Sequence, residues 1–532
     1  MSRGGEDSPP THTPIPLERG RFSKSLLPFS LIAFVLALSI FSVRSDDLFM
    51  YLAAGEAILT TRSIPRIDPF LFSIPNPPWQ IAHEWLAYIP IYLTYTYFGW
   101  NGLIALKCIP IVLAALTPLW VARYLSRSAS FAAVCSFLAS LAACDRFIER
   151  TSLISDCLTA VTVALILGGR RGQAKVFWFL PLVFLLWTNL HPGIIVGLVL
   201  VSLALAVSFL DCSNPPRSYR IALLLCFVTA CLQPDGIGGV VYPILKTLNE
   251  NEWVVRSFYD EWKPTLSAGY IGSFGVQTFL VLLGLIGFLT VRAFKGAGGR
   301  EKPLPFFELL AFTALAYHGL SAIRFLPTAA FGLAALGASL VRAGSQSSPG
   351  TIAGFRTETC VSFALLLSAG YIALFGYSPL SGPRRTGLGF NPLYYPVQAG
   401  KLVDEIGLQT NVFNQHEYGN YLAWTWRPRR KVFFHGFVDD AVFYRDNYIA
   451  VTRSPQDFDR IVNQFAIGAF LLEGRSLSMP QQPLVYRELL TRPDWKLIYR
   501  DSASALFMRT IPENDAAFAR LQELKLSRAP GL

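Results

Sequence analysis

Apolar runs of about 17–25 residues, the length a helix needs to cross a hydrocarbon layer, recur along most of the first 380 residues and then stop. They predict about eleven spanning helices, near 25–44, 102–122, 129–144, 152–168, 175–189, 193–210, 219–233, 271–291, 305–321, 325–341 and 357–377. Between them lie basic connectors: Arg123/Arg127, Arg170/Arg171/Lys175, Arg217/Arg220, Arg292/Lys295/Arg300/Lys302 and Arg342/Arg356. With the N-terminus inside, the positive-inside rule places every one of these connectors in the cytoplasm. The segment Glu84–Phe98 cannot then be a further span, because it would move the later basic loops outside. It contains Pro90 and lines up Tyr88, Tyr92 and Tyr95 on one helical face, the pattern of an interfacial or re-entrant helix.

Beyond about Gly382 the pattern changes. The stretches KVFFHGF, GAFLLEG, WKLIYR and SALFMR carry strand-like alternation, and helices are expected near 394–407, 456–465 and 483–491. The expected fold class is an all-α polytopic membrane domain followed by a small α/β extracytoplasmic domain. Its parts are a disordered cytoplasmic tail (1–24), a transmembrane domain (25–380, outer loops 45–101 and 234–270), the α/β domain (384–510) and a C-terminal tail (511–532).

Composition agrees. Residues are 52% hydrophobic and 15% charged, where a soluble chain carries roughly a quarter charged. The net charge of +11 is accounted for by topology, and its expected partners are membrane lipids and an anionic lipid substrate, with no nucleic acid. The eight cysteines lie mostly in or beside apolar runs, without disulfide or metal-ligand spacing.

On this topology the outer side also holds Asp68, Asp145, Glu149, Asp235, Arg256, Asp260, Lys263 and His318, and the candidate site is drawn from nine further ionisable groups there: Asp46, Asp47, His83, Glu84, Arg146, Arg150, His191, Glu261 and Arg324. Ionisable groups at membrane depth are costly and mark sites or pathways, and arginine forks match phosphate oxygens. Each also has a structural reading. Asp47 caps the following helix, His83 and Glu84 cap the tyrosine-rich one, Arg146 and Arg150 pair with Asp145 and Glu149 at the surface, and His191 is a turn residue before Pro192.

The segments SDDLFMYLAAGEAI, SIPRIDPFLFSIPNPPW and HEWLA, followed by LWTNLHPG, YP…DEWKP, RFLPTAAFGL and NVFNQHEYGNYLAW, resemble bacterial members of the GT-C glycosyltransferase superfamily, which includes protein mannosyltransferases and aminoarabinose transferases. The resemblance spans about residues 25–510. It implies a bacterial inner-membrane enzyme that moves a sugar from a polyprenyl-phosphate donor to a cell-envelope glycan, lipid or protein acceptor. Asp47 would be the general base, with Asp46 beside it, and the arginines and histidines would bind substrate. The sequence departs from the family's D-x-D at Ser45, from its W-W-H at Tyr51, and from its D-G-R at His435-Gly436-Phe437. Asp46, Asp47 and Glu84 supply oxygens for Mg²⁺ or Mn²⁺, whereas the incomplete D-x-D argues against such a site. A non-catalytic scaffold or glycan-binding protein is the alternative. A transporter is disfavoured, since the runs hold almost no charges at their centres and show no inverted repeat.

Overall fold

The computed structural model describes residues 19–79, 81–170, 175–210, 216–248, 260–296, 305–342, 352–380, 382–438, 440–479 and 481–528. Among the described residues thirteen helices come first: α1 (Arg19–Ser39), α2 (Asp47–Thr61), α3 (Trp85–Tyr124), α4 (Ala129–Ala143), α5 (Ser152–Arg170), α6 (Phe179–Leu190), α7 (Ile194–Leu210), α8 (Arg217–Ala230), α9 (Gly236–Leu248), α10 (Phe274–Gly296), α11 (Phe306–Ser321), α12 (Leu326–Ala338) and α13 (Ile352–Phe375). Among the described residues five helices are long and apolar enough to cross a membrane: Trp85–Tyr124, Ala129–Arg146, Ser152–Arg170, Phe274–Gly296 and Arg356–Phe375. Shorter apolar helices, including Ile194–Leu210 and Ile323–Ala338, fill the bundle between them.

The centre of the bundle is α12. Its sequence, LPTAAFGLAALGA, is apolar and small all round, and every residue in it is buried, as befits a helix without a solvent face. Small side chains let its neighbours come close. A Cβ on Gly332 would fall 2.9 Å from Leu315 of α11, and one on Gly337 would fall 2.2 Å from Ile286 of α10. Around α12 pack α3, α4, α5, α10 and α11.

The segment expected to be interfacial and the second expected span are two arms of one element. Helix α3 runs on through residue 124 but breaks at Gly99, whose φ of 60° and ψ of −154° only glycine adopts readily. The expected outer loop 234–270 contains the amphipathic helix α9, with Ile237 and Leu245 exposed. Residues 249–259 of that loop, residues 1–18 of the expected tail, and connector residues 171–174, 297–304 and 343–351 lie outside the described residues. Helix α1 begins at Arg19, inside the segment expected as tail.

After residue 382 comes a four-stranded sheet in the order β1-β2-β4-β3: β1 (Asn411–Asn414), β2 (Ile467–Glu473), β3 (Trp495–Arg500) and β4 (Ser504–Arg509). β1 pairs parallel to β2, and β4 lies antiparallel to both β2 and β3. The β3–β4 turn closes on Asp501, whose carboxylate accepts from the Ala503 and Ser504 amides. Helices Val397–Glu405, Pro455–Gln464 and Leu484–Thr491 fall where the pattern predicts. The stretch KVFFHGF does not form a sheet strand. It makes a single bridge, Val432 to Leu71, and its register is taken up by the first loop rather than the sheet. The first strand is instead NVFN. Residues beyond 511, expected as a tail, form helix Asp515–Arg528, which buries Ala517 and Leu521.

This α/β unit is docked onto α2. Phe49 meets Tyr395 and Tyr421 edge-on, each with ring centroids 5.0 Å away. His435 and Asp68, both buried, face each other at 2.7 Å. Buried Arg384 donates to the Cys144 and Asp145 carbonyls, both at 2.6 Å, tying the start of the unit to the α4–α5 turn.

Candidate functional site

Five inter-helix segments meet at one end of the bundle: the approach to α2, the α4–α5 turn, the α6–α7 turn, and the 260–265 and 322–325 turns. Asp46 stands at the N-cap of α2 but makes no capping hydrogen bond, and Asp47 begins the helix. The capping reading of Asp47 therefore does not hold: Asp47 lies inside the helix, the N-cap position falls to Asp46, and the Asp47 carboxylate turns to a different partner. Its Oδ2 is 3.0 Å from Nε of Arg150.

Arg150 links Asp47 to a second carboxylate. Its Nη1 donates to Glu261 Oε2 at 2.8 Å, as does Nη1 of Arg146. Arg324 Nη1 donates to the other oxygen, Oε1, at 3.0 Å, and its guanidinium lies over the Trp262 ring at 4.1 Å. Burial alone would push Glu261 up, but Arg324, Arg150 and Arg146 outweigh it and hold the carboxyl well below its ordinary range. Three guanidiniums and two carboxylates leave this cluster with a net positive charge.

A second group adjoins it through Thr151, the residue after Arg150. Thr151 Oγ1 and the Tyr88 hydroxyl both donate to Glu84 Oε2 at 3.0 Å. Glu84 Oε1 faces Nε2 of His191 at 3.6 Å and Nε2 of His83 at 3.9 Å. Burial raises Glu84 to about 7 against those two hydrogen bonds, and burial with the Arg324 charge lowers His191 to about 3. Asp46 is also raised, to about 8, by burial and then by Asp47, with Glu417 of the α/β unit adding a little.

All nine residues singled out from the sequence thus gather at this end, in two linked clusters. The surface-pair reading of Arg146 and Arg150 is overturned. Glu149 turns inward to Lys107 at 2.6 Å, in a pair almost wholly buried, which frees both arginines for Glu261. Lys107 was hidden inside an apolar run and carried no pattern signal. Ser155, Thr151 and Trp262 were also missed, since an ordinary Ser, Thr or Trp in an apolar helix or loop gives no warning. His416 and Glu417, at the start of helix His416–Trp426, lie close enough to influence Asp47 and Asp46. Asp68, Asp235 and His318 belong elsewhere, with His435, Arg66 and Phe325 respectively.

Beside Arg146 a cavity of about 450 Å³ extends among apolar side chains, including Leu38, Leu141, Val276, Leu326 and Ile372, with Asp145 and Arg146 as its charged wall. The oxygens considered for a divalent ion do not fit one as arranged. Asp47 is turned to Arg150, Glu84 accepts from Thr151 and Tyr88, and among the described residues no group of three His, Cys, Asp or Glu converges on a point.

An apolar bundle with an acid-bearing first loop and a docked C-terminal α/β unit defines a class: the chain has the fold of the GT-C membrane glycosyltransferases, and it is a multi-pass membrane protein. ArnT from Cupriavidus metallidurans bound to undecaprenyl phosphate matches 93% of this chain and 99% of its own, at 11% identity and a TM-score of 0.50. The oligosaccharyltransferase AglB from Archaeoglobus fulgidus, in complex with an inhibitory peptide and a dolichol-phosphate, matches 86% of this chain and 70% of its own, at 13% identity and a TM-score of 0.54. The mycobacterial arabinofuranosyltransferase AftD matches 93% of this chain, which spans 40% of its length, at 12% identity and a TM-score of 0.51. No family model and no curated protein matches the sequence.

Proposed function

We propose that the protein is an integral-membrane glycosyltransferase, moving a sugar from a polyprenyl-phosphate donor to a hydroxyl-bearing cell-envelope acceptor on the outer face of a bacterial inner membrane. The observation that carries this reading is the apolar cavity walled by Arg146, next to the three-arginine cluster that also holds Asp47. A long apolar tail and a phosphate head are the one chemistry that suits both halves. The neighbours crystallised or imaged with undecaprenyl phosphate and dolichol-phosphate support it at the level of fold.

In this reading the chain makes about eleven crossings, with the N-terminus cytoplasmic and the α/β unit extracytoplasmic. The acceptor hydroxyl gives its proton to Asp47, and its oxygen attacks the anomeric carbon. The bond to the phosphate oxygen breaks, and the electron pair leaves on the lipid phosphate. Arg146, Arg150 and Arg324 stabilise that charge, with His191 and His83 beside them, and preformed cations in a dry site do this without reorganisation. Glu261 holds the three guanidiniums together.

The test is transfer of labelled sugar from polyprenyl-phosphate donors in membranes that contain native protein or Asp47→Asn. The variant should insert normally and transfer at least a hundredfold less. Undiminished transfer by Asp47→Asn would sink the mechanism, and no transfer by native protein would make a non-catalytic scaffold the better account.

A further inference from the structure

Ser155, buried in the first turn of α5, is the pivot of a hydrogen-bonded chain behind His191. The Trp187 indole N–H donates to Ser155 Oγ at 2.7 Å. Ser155 Oγ in turn lies 2.6 Å from His191 Nδ1. The Gly193 amide also donates to that Nδ1, at 3.0 Å. An indole N–H and a backbone N–H can only donate. Nδ1 therefore carries no proton, and the Ser155 hydroxyl must aim its own hydrogen at it. The neutral ring then bears its proton on Nε2, the nitrogen that faces Glu84 Oε1.

The packing enforces this arrangement. A Cβ on Gly193 would fall 2.3 Å from Ser155 Oγ and 2.9 Å from His191 Nδ1, so only glycine lets the turn close on the pair. The Trp187 ring is fully buried between α6 and α7, where a Cβ on Gly197 would fall 2.5 Å from it. On the far side, Glu84 Oε2 is already taken by Thr151 and Tyr88, which orients Oε1 toward the imidazole.

We infer that Ser155 is a positioning residue: together with Trp187 and the Gly193 amide it locks His191 in the Nε2–H tautomer, making that histidine a hydrogen-bond donor to the site and not a base. The tautomer follows from the geometry whatever the protein transfers. Its use, donation of Nε2–H to an oxygen of the lipid phosphate, rests on the glycosyltransferase reading. Burial and the neighbouring Arg324 and His83 charges keep the ring neutral and so preserve its single donor.

The chain has 6 histidines, few enough for selective ¹⁵N-histidine labelling of the full-length protein in micelles. Long-range ¹H–¹⁵N correlation spectra, with His191 assigned by its absence in His191→Gln, should show a protonated Nε2 and an unprotonated Nδ1 that persist from about pH 5 to 8. A native ring protonated on Nδ1, or one titrating near the ordinary value of about 6.5, overturns the inference. This readout uses native protein, so it holds even where Ser155→Ala does not accumulate. In Ser155→Ala that folds, the Nδ1 resonance should move as one of its two donors is lost, and an unmoved resonance counts against the role. A second arm measures binding of sugar-free undecaprenyl phosphate. Affinity should fall several-fold in Ser155→Ala, and unchanged affinity breaks the link to the phosphate. If native protein binds no polyprenyl phosphate at all, the functional reading fails while the tautomer stands.

Discussion

Replacing Asp46 by asparagine separates two neighbouring acids that the sequence presents as equivalents. Burial, and then the adjacent Asp47 charge, raise the Asp46 carboxyl from 3.8 to about 8, while Arg150 offsets only part of this. A carboxyl with a higher pKa folded than unfolded stabilises the fold while protonated, and that stability is lost as pH rises through the folded value. The window therefore runs from about pH 4 to about pH 8. Four units at roughly 1.4 kcal/mol each would amount to about 5–6 kcal/mol. Asp46 is half-buried, however, and water on its open side screens the charge, so we expect ~2–3 kcal/mol. Asparagine cannot ionise. Asp46→Asn should match native protein at about pH 4 and unfold several degrees higher at about pH 8.5. Thermal unfolding in micelles at four pH values, followed by tryptophan fluorescence, measures this. Glu84 titrates in the same range but is present in both proteins and cancels in the difference. A difference between the two proteins that does not grow with pH would refute the reasoning. The same variant should retain sugar transfer, because Asp47, held by Arg150 at the three-arginine cluster, carries the base role, and loss of transfer in Asp46→Asn with full folding would reassign the roles.

Three further outcomes follow from the same contacts. Lys107→Met leaves the Glu149 carboxylate buried without its cation and should cost about 3–5 kcal/mol in unfolding measurements, with part recovered in the Lys107→Met/Glu149→Gln double variant. Arg324→Lys gives up the guanidinium over Trp262 and its hydrogen bond to Glu261, and should weaken undecaprenyl phosphate binding about tenfold in a direct binding assay. Asp68→Asn removes the charge opposite His435 and should expose the joint between the first loop and the α/β unit, read as faster limited proteolysis near residues 382–390, with a stability loss of about 1–3 kcal/mol.

The helices were legible because hydrocarbon-length apolar runs need no tertiary information, and the basic connectors delimit them. The site was legible wherever a charge stood next to an apolar run, which is why Asp47, Glu84, Arg150 and Arg324 were all in view. What the sequence hid were relations rather than residues. Glu149 and Glu261 look alike as loop acids, yet one is sealed against Lys107 and the other is held by three arginines. Nothing local distinguishes them, since the partners lie 42 and more than 60 positions away. In the α/β unit, KVFFHGF and NVFN have equal strand character, and the choice between them was made by the first loop, which pairs with Val432. Ser155 gave no signal because its role appears only once Trp187 and Gly193 are folded around it.

The break at Gly99 has a consequence in simple lengths. Helix α3 has 40 residues, which as a straight rod would measure about 60 Å, twice the thickness of a hydrocarbon layer. Its first arm, before the glycine, accounts for about 20 Å of that. Left straight, this arm would carry Glu84 up and away from Thr151 and His191, as far above the bundle as the bilayer is two-thirds thick. A Cβ at position 99 would meet no neighbouring atom, so the constraint is purely one of backbone angle. A single hinge-free bend in the main chain therefore sets the altitude at which the acids of the first loop meet the turns of the bundle.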